Sequence, residues 1–220
     1  RLWLDRSVNA ISDVAVVHVS TNAGFYLFAA AGSDVWGGYQ VAETIGGLTG
    51  SGNVYGQWQN GAVAPLLTVG GGDVSATFAG SISEYPGTLA GLKLIKIGSG
   101  TQTLNGASTW SGGITVSNGV LALGHDAAAG IGTLTLGGGT LVAAGGTRVL
   151  LNPVKLAADS FVDTSGGDLV FAGALSDAAA LVKQGAGTLS LGGLSTNTGA
   201  LLVSNGTLLV HGTSGPGGIV

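Results

Sequence analysis

The residues able to do chemistry are few and scattered. Three histidines stand at 18, 125 and 211. None has a second His or a Cys at metal-ligand spacing, and the chain has no cysteine at all. His125 and His211 each follow a similar stretch, which reads as a corner position rather than a ligand. Asp159, Asp163 and Asp168 form the densest acidic group. Two carboxylates on facing strands could serve glycoside hydrolysis, yet no basic partner follows closely, and aspartate favours turns. The expectation is therefore no catalytic residue and no enzyme. GGGD at 70–73 and SGGD at 165–168 fall short of the tandem glycine–aspartate loops that bind calcium, so no metal or cofactor is expected. Gly-rich loops cradle phosphate where a strand feeds a helix, and no segment has a helical period.

Aromatic side chains offer more. Trp36, Tyr39, Tyr55, Trp58 and Tyr85 fall in or beside turns of the first 85 residues. Aromatic platforms bind sugars or protein partners. Trp36, Tyr39, Tyr55 and Trp58 are the candidate ligand-binding residues, for a surface glycan or a protein receptor. Their alternative role is packing over the first coil.

The chain that must position these residues has 220 positions, 43 of them glycine, and only 8% are charged. Average proteins have roughly 7% glycine and roughly 25% charged residues. Hydrophobic residues make up 45% and the formal net charge is −4, so composition does not predict disorder. With no run of Lys or Arg to displace counterions, nucleic acid is not an expected partner. No transmembrane segment is expected either: the most apolar stretch, 15–32, is interrupted by His18, Ser20, Thr21 and Asn22. There is no Met, so Arg1 is read as an internal residue of a longer gene product.

Self-similarity is the strongest signal. Residues 95–123 and 182–210 align without a gap at an offset of 87, with fourteen identities that include Lys96, Gly98, Gly100 and Val116–Gly119. TFAGSIS at 77–83 matches VFAGALS at 170–176, extending the repeats to 77–123 and 170–210. The longer insert of the first copy, between Ser83 and Ile95, carries Pro86 and Gly87, as a corner loop would. Apolar residues alternate through each copy: Ile114 and Val116, then Leu121 and Leu123; Leu201 and Val203, then Leu208 and Val210. Period two means strands.

Asn-Gly between alternating strands is a hairpin signal, but a gapless repeat of several short strands favours stacked coils. The fold class is therefore all-β, a parallel β-solenoid forming one unit over 1–220. A coil of roughly 22 residues makes 87 residues about four turns, giving about ten coils and a rod about 48 Å long. Asn118–Gly119 and Asn205–Gly206 become structural corners, with Val116 and Val203 pointing inward about four coils apart. Strand edges at coil ends predict further repeats, caps or self-association into a filament.

The motif KxGxGTxxLxGxSTWSGGxTVSNGxLxL, beginning at Lys96, resembles the autotransporter-associated β-strand repeat of bacterial secreted passengers. ETIGGLTGSGNV at 43–54, LLTVGGGDVSATFAGSI at 66–82 and GTLLVHGTSGPGGIV at 206–220 are similar to that repeat's surroundings. The second copy departs from the first at Asn197 for Trp110, Ala200 for Gly113 and Leu189 for Gln102. The resemblance implies a right-handed parallel β-helix, exported and held at or released from a bacterial surface. Its implied role is structural: display, adhesion or fibre assembly. Carbohydrate binding and polysaccharide cleavage are the alternatives.

Overall fold

The computed structural model describes residues 1–5, 9–29, 41–58, 64–86 and 91–211. Every strand pairing among them is parallel, and no two strands consecutive in sequence pair with each other. The chain visits three faces in turn and returns one layer higher each time. Face one is a seven-stranded sheet, from Ala42–Ile45 to Leu175–Ser176. Face two is a nine-stranded sheet, from Val16–Val19 to Leu201–Val203. Face three holds two four-stranded sheets. One runs from Leu2–Asp5 to Ser81–Glu84, the other from Arg148–Leu150 to Thr207–Val210. This is a parallel β-helix.

The strands are short because the period-two pattern is short. In Ile114–Val116 the outer two residues are buried and Thr115 is half-exposed; Leu134 and Leu136 repeat the pattern one coil higher. The core is a continuous column of Leu, Val, Ile and Phe with almost no solvent contact. Stacking in register gives each inward residue an apolar neighbour above and below, which is why few charges are tolerated inside.

From residue 94 onward the coil is shorter than its sequence expectation. Leu94 pairs with Ile114, Ile114 with Leu134 and Leu134 with Val154, each 20 residues apart. Earlier coils are longer: Ala42 pairs with Leu66, and Leu67 with Leu94. The nine-stranded face sets nine layers among the described residues, so the stack spans about 38 Å at about 4.8 Å per layer.

The shorter coil also changes what the 87-residue repeat means. Lys96 stacks under Val116, Leu136 and Leu156 on face one, and the fourth step reaches the neighbourhood of Ser176. Lys183 lies farther along, in the strand Leu181–Gln184 of face two. The repeat is four coils plus one face. Every strand of the second copy sits on the next face round from its counterpart in the first. Val116 is wholly buried on face one, whereas Val203 is half-buried on face two, so the two do not share a column.

Face three is interrupted midway. Residues 105–113 and 124–133 cross it without a strand among the described residues. Isolated hydrogen bonds keep the layers in contact, among them Thr109 N to Ile82 O at 3.0 Å, Ser108 N to Ala127 O at 3.1 Å and Ile131 N to Trp110 O at 2.9 Å. The fully buried Trp110 fills the interior there, beside a core layer that includes Ala128 and Ala129.

Candidate functional site

The residues identical in the two repeats converge on one construction. Lys96 lies on the inward side of Lys93–Lys96, has no solvent exposure, and carries its ammonium to the corner between faces one and two. There Lys96 Nζ donates to Ile97 O, to Gly98 O at 2.9 Å and to Asn118 O at 3.3 Å. Lys183, 1% exposed, repeats this at the corner between faces two and three. Its Nζ donates to Gln184 O at 3.0 Å, Gly185 O at 2.7 Å and Asn205 O at 2.9 Å. Each ammonium thus ties its own corner to the corner of the coil above. A buried cation is tolerated only when hydrogen-bonded in this way. Burial pushes both lysines below the usual lysine range, opposed at Lys96 by Asp73 and at Lys183 by Asp163 and Asp168.

Asn118–Gly119 and Asn205–Gly206 form the upper half of these corners. Gly119 has φ 62° and Gly206 φ 78°. A Cβ on Gly119 would lie 2.3 Å from Gly98 O and 2.8 Å from Lys96 Nζ; on Gly206, 2.4 Å from Gly185 O and 2.7 Å from Lys183 Nζ. Positive φ and close approach together require glycine. Each asparagine Oδ1 accepts from the following glycine N–H at 2.8 Å.

Other polar residues inside the rod also serve the backbone. Gln102 is 2% exposed. Its Oε1 accepts from Leu48 N at 3.0 Å and its Nε2 donates to Leu48 O at 3.0 Å, across a place where the ladder between face-two strands lapses. The amide stands in for a missing peptide neighbour; beneath the equivalent Leu189 the corresponding ladder, between Arg148–Leu150 and Leu169–Phe171, is intact. Trp110 Nε1 donates to Gly113 O at 3.3 Å, and Asn197 at the equivalent place donates to Gly199 O at 2.8 Å. Both are buried and both brace the same loop, so that departure between the copies preserves the bracing. The buried Glu43 receives Ala10 N and Ile11 N, each at 2.7 Å.

The acidic candidates cap backbone groups. Asp159 Oδ1 accepts from Ala180 N at 2.8 Å, Asp163 Oδ1 from Ser165 N at 2.8 Å and Asp168 Oδ1 from Thr188 N at 2.7 Å. Asp73 of the GGGD segment accepts from Ser99 N at 2.6 Å; that hydrogen bond, with help from the Ser99 side chain, holds its carboxyl below the usual range. His125 Nδ1 lies 3.0 Å from Ala127 N and His18 Nδ1 3.2 Å from Thr49 Oγ1. Among the described residues no three His, Asp or Glu gather as a metal site. Among the described residues no helix is long and apolar enough to cross a membrane.

Of the aromatic candidates, Trp36 and Tyr39 lie outside the described residues, and Trp58 ends the strand Asn53–Trp58. Tyr55 sits on face three in register with Tyr26, their rings stacked at 4.9 Å. Tyr85 meets Tyr55 edge-on at 6.0 Å. Sequence reasoning singled out Tyr55 and Tyr85 without Tyr26, whose partnership comes from register. It also missed a cleft of about 440 Å³ where face three resumes, lined by His125, Asp126, Ile131, Val149, Leu151 and Asn152. Ile131 is 66% and Leu151 79% exposed, and their stacking one coil apart is invisible until coil length is known.

Residues 94–123 and 181–210 match the Passenger-associated-transport-repeat family. Over 159 residues the chain is 30% identical to the adhesin BmaC autotransporter of Brucella suis biovar 1 (strain 1330), an alignment covering 70% of this chain and 5% of that protein. The chain therefore spans about a twentieth of the relative's length. No solved structure matches it. The two matched segments are those whose lysines and Asn-Gly corners interlock, so this β-helix carries two repeats of the autotransporter passenger type.

Proposed function

We propose that this chain is a non-enzymatic segment of a bacterial surface adhesin, a stretch of β-helical rod that carries binding features on its outer faces at the cell surface or outside the cell. The observation that supports it most is the use of the repeated polar residues. Lys96, Lys183, Asn118 and Asn205 all bind backbone. The recurring side chains serve the scaffold, and the outer surface is free to differ from coil to coil. The adhesin name of the relative supports the attachment role. In this reading residues 1–220 are one segment of a longer rod, whose coil ends meet further repeats or other copies.

Antibody and protease applied to intact producing cells test the location. Accessibility without permeabilisation is expected; access only after lysis would overturn it. Deletion of the segment should lower attachment of those cells to host-cell layers, and unchanged attachment would overturn the adhesive role. Light scattering across a concentration series tests end-to-end assembly, which monodisperse monomer throughout would exclude.

Glycan binding is the second reading, favoured by the Tyr26–Tyr55–Tyr85 cluster on one outer face. A glycan array should give hits that weaken in Tyr55→Ala, Trp36→Ala and Trp58→Ala. An array without hits removes this reading and leaves protein receptors as the partner class.

A further inference from the structure

The two Asn-Gly corners hold a chemical arrangement that reaches beyond their part in the scaffold. Asn118 and Asn205 are exposed, and the amide of each lies against the N–H of its own following glycine, with 2.8 Å between Oδ1 and N in both copies. Asn118 O and Gly119 N belong to one peptide group, and that oxygen receives the Lys96 ammonium at 3.3 Å. The Asn205–Gly206 peptide receives Lys183 at 2.9 Å. We propose that Asn118–Gly119 and Asn205–Gly206 are self-modifying sites, where the chain closes a succinimide and converts asparagine to aspartate and isoaspartate, promoted by the lysine caged beneath each corner.

The step balances with water as the only co-reactant. A solvent base takes the Gly119 N–H proton. The negative charge of the resulting imidate resides largely on Asn118 O, where the Lys96 ammonium already donates. A preorganised donor aimed at developing charge is the arrangement that lowers such barriers. The nitrogen then attacks Cγ of Asn118, the Cγ–N bond of the side-chain amide breaks, and the leaving nitrogen takes a proton from solvent and departs as ammonia. Water opens the five-membered ring at either carbonyl, giving aspartate or isoaspartate. Nothing is oxidised or reduced. Glycine at 119 and 206 leaves the nucleophile unshielded. The product puts a carboxylate beside a caged lysine, and in the isoaspartate form adds a methylene to the backbone of the corner.

Asn105–Gly106 supplies an internal comparison. It has the same dipeptide and an exposed asparagine, but lies outside a lysine corner, with its side-chain oxygen against Gly124. The test is incubation of the folded chain in mildly alkaline buffer, with isoaspartate quantified at each site by methyltransferase labelling and peptide mapping. Asn118 and Asn205 are expected to convert about tenfold faster than Asn105, equivalent to about 1.4 kcal/mol of barrier. Lys96→Met should slow Asn118 to the rate of Asn105 and leave Asn205 unchanged in the same molecule; Lys183→Met should do the reverse. Rates at Asn118 and Asn205 no faster than at Asn105 would overturn the proposal. So would a lysine variant that leaves its own site unchanged, or that speeds conversion there as local unfolding of the corner would.

Discussion

Replacing Lys96 by Met keeps the buried stem and deletes the ammonium. Three carbonyls, of Ile97, Gly98 and Asn118, then lose a charged donor in a place with no solvent exposure. A hydrogen bond involving a charged group contributes roughly 1.5–3 kcal/mol, and a buried acceptor left without a partner costs about 1–3 kcal/mol. Relief of the ammonium's desolvation works in the opposite direction by several kcal/mol. The net expectation is a loss of about 3 kcal/mol, a fall in Tm of about 6–12 °C for a chain of this length. Urea and thermal unfolding followed by circular dichroism measure the total. Hydrogen exchange locates it, because coil stacking couples mainly to nearest neighbours: protection should drop first at residues 96–119. Lys155→Met is the control. Lys155 pairs with Asp177 at 3.7 Å with both side chains substantially exposed, and its removal should change stability by less than about 1 kcal/mol. If Lys96→Met proves as mild as Lys155→Met, the ammonium does not hold the corner and the account of the repeat motif is wrong.

Gly119→Ala and Gly206→Ala should each destabilise by about 2 kcal/mol or more in urea titrations, combining positive-φ strain with a clash against carbonyls; a neutral effect at both would contradict the corner geometry. Gln102→Leu copies the residue of the second repeat, yet should cost about 2–4 kcal/mol because Leu48 N and O both lose their partner; equal stability would mean that the gap in the ladder closes by itself. Asp73 has a folded-state pKa below its unfolded value of 3.8. Its contribution is therefore fully present above that value and is lost as pH falls through the folded pKa. Asp73→Asn should flatten that part of an acid titration of stability, and an unchanged acid limb would rule the Ser99 cap out as its source.

The class of fold was legible because it rests on local signals. Alternation at Ile114, Val116, Leu121 and Leu123 gives strands, and the gapless 29-residue match gives coils. Coil length was not legible, since the offset of 87 was divided into whole turns. Only strand pairing reveals that Leu94, Ile114 and Leu134 are 20 apart while earlier coils run longer. The lysines were hidden for another reason. Lysine is almost never fully buried unless paired, and its partners are backbone oxygens, one of them 22 residues away. No side-chain pattern announces such a partner. Trp110 and Asn197 look like a broken motif in sequence because their shared act, donating to a loop carbonyl, is carried by different chemical groups.

The extra face in the repeat has a bearing on how the rod meets its surroundings. If each repeat closed on a whole number of turns, duplicated outward side chains would form columns, and one azimuth of the rod would gather every copy of a feature. Four coils plus one face instead moves each successive copy about a third of a turn around the axis. Outward residues that recur every 87 positions would wind about the rod like a staircase, returning to the same bearing only after three repeats. Such a rod offers duplicated features in every direction, and adding or deleting one repeat would rotate everything beyond it toward a different neighbour.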